Sequence, residues 1–126
     1  ELFNDSIQEF WIDGKKFVNL KNYGFMELVL ENQNFKVFKK YKKERKEVII
    51  NNRTYNQFKI IETNLLIKYK DNFYQLKKDK DLLQIFTNNN MTIKTFFKEN
   101  KKLKRKNEED FYIKCLKTLS NEMINN

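Results

Sequence analysis

A chain of 126 residues is the size of one domain with one core. Apolar residues make up 40% of it and aromatics 15%, which excludes disorder although 34% is charged. Lys and Arg number 26 against 17 Asp and Glu, a net +9 that favours anionic partners: nucleic acid, lipid head groups or acidic protein surfaces.

That excess is carried almost wholly by Lys, a hydrated point charge, whereas readers of phosphate and bases lean on the bidentate Arg fork. Abundant Lys, Asn and Ile with no Pro is also the mark of an AT-rich genome, which raises Lys irrespective of binding. Cys115 stands alone, so neither an internal disulfide nor a thiolate metal site within one chain is available. No apolar run approaches the length that spans a bilayer. The chain begins at Glu1 rather than Met, which leaves room for a leader or an upstream segment ahead of it.

In chain order, residues 7–20 carry two apolar runs about Asp13-Gly14, a hairpin signal because both turn positions tolerate positive φ. Phe10, Ile12, Phe17 and Leu20 are expected on one face, Trp11 and Val18 on the other. Residues 25–31 and 35–41, joined by Asn32-Gln33-Asn34, predict a second hairpin, with Gly24 opening its first strand. One face of its second strand is expected to be buried and the other wet, with Phe38 falling on the Lys face. Residues 39–47 hold six bases and two acids, which predicts a solvated strand end or a contact patch for an acidic partner built from Lys39, Lys40, Tyr41, Lys42, Lys43 and Arg45. Val48-Ile49-Ile50, a turn at Asn51-Asn52-Arg53, the strands FKII and LLIKY broken at Glu62-Thr63-Asn64, a turn at Lys70-Asp71-Asn72 and a strand at 73–76 complete a meander. The links are too short for crossover helices, so the strands are antiparallel.

The periodicity changes at Asp79. Asp79 is expected to cap a helix presenting Leu82, Leu83 and Phe86. A second helix starts at Asn90 or Thr92 and buries Ile93, Phe96 and Phe97. Lys101–Lys106 reads as a basic linker anchored by Leu103. Asn107, followed by Glu108, Glu109 and Asp110, reads as a cap with acids at the positive end of the dipole. Tyr112, Leu116, Leu119 and Met123 then form an apolar stripe that must close over the meander or a partner. The expected fold is α+β: one domain, residues 1–126, with a β-rich body at 1–77 of seven or eight short strands and a tail at 78–126 of three short helices.

Three stretches of the chain, Lys78 to Leu83 with Phe86, Ile93 to Lys104 as IKTFFKENKKLK, and Glu108-Glu109-Asp110-Phe111, resemble the tail of a family of small envelope proteins of unknown function in Bacteroidota-type bacteria. The upstream GFMELVLENQNFKVFKKYKK resembles that family's strand pair, and the likeness runs from Phe17 to Leu119. It implies an extracytoplasmic protein, in the periplasm or associated with the outer membrane, and carries over no catalytic residue. The family's closing pair of tyrosines is absent here.

With no His, Ser only at 6 and 120, and two Gly in all, His-dependent bases, hydrolase triads and phosphate cradles are out. Asp79-x-Asp81 and Glu108-Glu109-Asp110 are carboxylate pairs that acid/base or Mg²⁺ chemistry would use, but each stands where a helix begins and capping explains it. Glu44-Arg45-Lys46 has a nuclease-like spacing without a matched upstream Asp. No catalytic, cofactor or metal residue is assigned. The expected function is that of a non-enzymatic accessory or interaction subunit docking on a larger protein assembly of the envelope, through the basic patch and the Tyr112, Leu116, Leu119, Met123 stripe. The alternative is a nucleic-acid module stacking bases on a Lys/aromatic sheet face, as at Phe35 to Tyr41 and Lys68-Tyr69. Oligomeric state is open.

Overall fold

The structure, a computed structural model, describes residues 8–125. Its architecture is α+β: an antiparallel meander followed by C-terminal helices. The strands are β1 (Glu9–Ile12), β2 (Lys15–Leu20), β3 (Gly24–Glu31), β4 (Phe35–Ile50), β5 (Arg53–Tyr69) and β6 (Asn72–Leu76), paired in sequence order. The helices are α1 (Asp79–Ile85), α2 (Asn90–Glu99), α3 (Lys101–Lys106) and α4 (Glu108–Asn125), with a 3₁₀ turn at Thr87–Asn89 before α2.

The turns form where side chains tolerate positive φ. Asp13-Gly14, Asn51-Asn52 and Lys70-Asp71 each place two consecutive residues there, as two-residue hairpins require. At Asn32 the side-chain carbonyl accepts the N–H groups of Asn34 and Phe35 at 2.7 and 2.9 Å, and its amide donates to Ser120 of α4 at 2.8 Å. That second bond gives the buried Ser120 hydroxyl its partner.

The strands are fewer and longer than the sequence predicts. Val48-Ile49-Ile50 continues β4, and FKII and LLIKY are one strand, β5, because Glu62-Thr63-Asn64 stays extended and pairs with Tyr41, Lys42 and Lys40 across the ladder. The irregularity at that point is a register shift between Lys42 and Lys43, a bulge that bends the ribbon without ending it.

Proximal to the bulge, both faces of β4–β5 are covered. Phe35, Val37, Leu65 and Ile67, joined by Leu76, meet Leu82, Phe86, Ile93, Phe111, Tyr112, Cys115, Leu116 and Leu119 of the helical layer, forming the main core. On the opposite face Phe38 and Leu66 join Val18 and Met26, flanked by Leu20, Tyr23, Leu28 and Phe73. The expected wet face of β4 is therefore a second, smaller core, and Phe38 is its buried centre. No helix lies on it; Tyr23, before β3, and Phe73 of β6 bring their rings within 5.1 Å although β3, β4 and β5 separate those strands, so the sheet curls over its own side chains. In the first hairpin Phe10 and Phe17 are cross-strand partners with stacked rings 5.2 Å apart, as expected, but Leu20 packs with Val18 on the other face. Ile7, counted in that hairpin from sequence, lies outside the described residues.

The helix starts divide one success from one correction. Asn107 Oδ1 accepts the Asp110 N–H at 3.1 Å, as its position before three acids predicts. Asp79 does not cap α1; it is the first helical residue, and the Asp81 carboxylate accepts the N–H groups of Lys77 and Lys78 at 2.8 and 3.0 Å. Lys101–Lys106 is no linker but a helix of its own, α3, turned from α2 at Asn100.

Leu116 is wholly buried on α4 and surrounded by core residues. Leu116→Ala is expected to destabilise the fold by about 2–5 kcal/mol, read as a lower midpoint in urea unfolding with an unchanged slope.

Candidate interaction surfaces

Beyond the bulge the β4–β5 ribbon leaves the body. The pairing of β3 ends at Lys39 and that of β6 at Leu65, so the hairpin continues to Asn51-Asn52 with neither strand paired on its outer side among the described residues. Residues 43–50 alone reach roughly 25 Å. All of residues 43–60 but Val48 are exposed. Cross-strand partners share a face, so Phe58 with Arg45 and Ile49 with Thr54 lie on one side of the ribbon, and Tyr55 with Val48 on the other. Ile49 is 74% and Phe58 67% exposed, with Ile50, Tyr55 and Ile60 also uncovered. Single exposed apolar side chains need no explanation; a run of them on a two-stranded arm with open edges does.

The six residues of the basic patch divide. Lys39 is half-buried: its ammonium lies 2.5 Å from Glu109 of α4 and above the Tyr41 ring at 5.1 Å. Glu109 also accepts the Thr63 hydroxyl, and Tyr41 donates its hydroxyl to Glu27. Burial, then the bond to Glu27, holds the Tyr41 phenol well above its ordinary range. Lys39 and Thr63 thus latch the first turn of α4 to the sheet, while Tyr41 ties β4 to β3. Lys40, Lys42, Lys43 and Arg45 are exposed at the base of the arm, where Lys40, Lys42 and Lys43 line a cavity of about 530 Å³ with Tyr23, Met26 and Leu66.

The apolar stripe of α4 faces inward. Tyr112, Leu116 and Leu119 are buried in the main core and Met123 packs against it, which withdraws all four as a docking surface. The buried face is also wider than the stripe, taking in Phe111 and Cys115 one position earlier on the adjacent row.

The Tyr112 hydroxyl donates to Asp79 Oδ1 at 2.8 Å, and Lys104 Nζ donates to Asp79 Oδ2 at 2.7 Å. One carboxylate therefore ties α1 to α3 and α4. Burial and this bond hold the Tyr112 phenol far above its usual range. Of the other acids proposed for chemistry, Asp81 caps α1, Glu109 is in the latch and Asp110 pairs with Lys114 at 3.2 Å. The aromatic rings offered for base stacking are also engaged: Phe35 and Phe38 are buried and Tyr69 packs on Phe86.

Two surfaces escaped the sequence reading. The charged run at 42–47 signals exposure, but the distal part of the arm, 48–50 and 54–60, is β-branched and aromatic like a buried strand, so its exposure had no local signal. The second lies on α2–α3, where Lys94, Lys98, Lys101 and Arg105 surround a cavity of about 670 Å³ floored by Phe97 and Phe111. Its charge was legible in the sequence, its concavity not. Among the described residues, no helix is long and apolar enough to cross a membrane. No family model, curated protein or solved structure matches the chain.

The Asp79 node is expected to be cooperative: in a double-mutant cycle of Tyr112→Phe and Lys104→Ala, the coupling should lie at about 0.5–2 kcal/mol by urea unfolding. Burial pushes the Cys115 thiol up from its ordinary 9.0 to about 12. An unfolded chain ionises this thiol first, so its contribution is complete below pH 9 and is lost between pH 9 and about 12. The expected outcomes are a unfolding midpoint that falls less steeply over that range in Cys115→Ala than in the parent, and slow alkylation of the native thiol at pH 8 that becomes fast in denaturant.

Proposed function

We propose that the chain is a non-enzymatic interaction protein, an accessory subunit that docks on a larger protein assembly through the β4–β5 arm. The observation that carries this reading is the arm itself: an extended ribbon beyond the bulge with open edges and exposed Ile49, Phe58 and Ile60. Folding alone gains nothing from leaving such side chains in water, whereas a partner that covers them gains their burial. Lys43, Arg45, Lys46, Arg53 and Lys59 outnumber Glu44 and Glu47 over residues 43–60, and Lys40 and Lys42 continue the positive charge at the base, so the fitting partner presents an acidic rim around an apolar seat.

Charge along β4 also acts against indiscriminate pairing. Residues 42–47 are all charged, the common means of keeping an open edge from self-association. The resemblance to envelope proteins supports an extracytoplasmic setting for the assembly, in the periplasm or at the outer membrane. The nucleic-acid reading on the sheet face has no comparable support, because its rings are taken up by the two cores.

The test is quantitative cross-linking in native membranes with the natural chain and a triple variant, Ile49→Ser, Phe58→Ser and Ile60→Ser. Recovery of the main cross-linked partner should fall more than about tenfold, the loss that two or more anchor residues produce. The variant should keep the melting temperature of the parent to within a few degrees, since none of the three is buried. Undiminished recovery with the variant, or a parent chain found free of any partner, overturns the proposal.

A further inference from the structure

The net charge of +9 is not spread over the molecule. Residues 90–106, which make up α2, Asn100 and α3, contain seven bases and one acid and so hold six of the nine net positive charges. A compositional rise in Lys would distribute itself; this does not.

The placement also works against the helices that carry it. Lys94 and Lys98, Lys101 and Arg105, and Lys102 and Lys106 are each four residues apart, and like charges at that spacing repel. Lys101 and Lys102 stand in the first turn of α3, which has no acid, at the positive end of its dipole. Among the described residues, Lys104 alone of these seven bases has an acidic partner, Asp79. An anion seated between the helices would relieve the Lys94–Lys98 and Lys101–Arg105 repulsions together.

The geometry points to a binding site in the α2–α3 groove for an amphipathic phosphate: a phosphate ester bearing an alkyl or acyl chain. Lys94, Lys98, Lys101 and Arg105 form the cationic rim, the Lys104–Asp79 pair completes the lining without net charge, and Phe97, backed by the buried Phe111 with ring centroids 5.4 Å apart, forms an apolar floor. The cavity of about 670 Å³ lies within the size of small-ligand sites. A cationic rim over an apolar floor matches a ligand with a charged head and an apolar body, and clusters of Lys and Arg on helices are a known means of holding anionic lipid heads. Single-stranded nucleic acid fits less well, because stacking successive bases needs several open ring faces and the groove offers one, the half-buried Phe97. An acidic peptide supplies charge but leaves the apolar floor to chance. The site stands apart from the arm and does not depend on its docking role.

The experiment is isothermal titration of the full chain with dihexanoyl phosphatidic acid below its micelle concentration, with inorganic phosphate, and with a fifteen-residue thymidine oligonucleotide. Sedimentation with phosphatidic acid vesicles separates a lipid in a bilayer from a soluble ester, and binding in either form supports the site. Lys98→Glu with Arg105→Glu should weaken binding more than about tenfold. Lys102→Glu with Lys106→Glu, the same change of charge at positions that do not line the cavity, should weaken it by no more than about twofold. All four side chains are exposed, so both variants should melt with the parent. Equal weakening by the two variants, inorganic phosphate binding as tightly as the lipid, or tighter binding of the oligonucleotide through Lys98 and Arg105 overturns the proposal.

Discussion

Val37 and Ile67 face each other across β4 and β5, both fully buried, and the rest of the structure depends on that pair being covered. Their flanks, Phe35 and Leu65, extend one apolar surface on which the helical layer sits. The alternate residues of the same strands, Phe38 and Leu66, carry the second core. A hairpin buried on both sides is fixed in register, because a slip by one residue would exchange the two cores. The bulge after Lys42 comes where that constraint ends. Beyond it, among the described residues, neither core continues on either face, and the same two strands change from a spine into an arm.

Charge performs two separate tasks in the molecule. Where an ion pair joins elements, it is close and partly shielded: Lys39 to Glu109 fastens α4 to the sheet, and Lys104 to Asp79, completed by Tyr112, fastens α3 and α4 to α1. Where bases are in excess, they hold little of the fold: at the arm base Lys42 and Arg45 make only exposed pairs, with Glu62 at 3.9 Å and Glu47 at 3.4 Å, and around the α2–α3 groove Lys94, Lys98, Lys101 and Arg105 repel one another. The division separates residues that maintain the structure from residues that remain available to a partner.

Much of the local architecture is legible in the chain. The pairs Asp13-Gly14 and Asn51-Asn52 announce their turns because few residues accept consecutive positive φ, and Asn107 before three acids announces α4. Asp79 departs from the expected cap for a physical reason: the helix starts one residue earlier, with Lys78 at the cap position and the Asp81 carboxylate bonded back to the Lys77 and Lys78 N–H groups, which leaves Asp79 to meet Tyr112 and Lys104. The α4 stripe is legible as a face that must be buried, but Phe111 and Cys115 widen it because α2 brings Phe96 and Phe97 onto Phe111 from a second side, so α4 buries more than one four-residue row.

The sequence by itself determined the order of elements, the antiparallel meander, the switch to helices after Leu76 and the lack of His-based chemistry, since each depends on residues near one another in the chain or on composition alone. Only the tertiary structure decided which apolar strands are core and which are arm. Phe35-Lys36-Val37-Phe38 and Tyr55-Asn56-Gln57-Phe58 mix aromatic and polar residues in a comparable way, and what separates them is the reach of β3, β6 and the helices across the sheet. In the same way the bases of α2 and α3 line a common groove because the chain turns at Asn100 and folds back on α4. Burial is a property of what arrives from elsewhere in the chain, and local pattern does not record how far that cover extends.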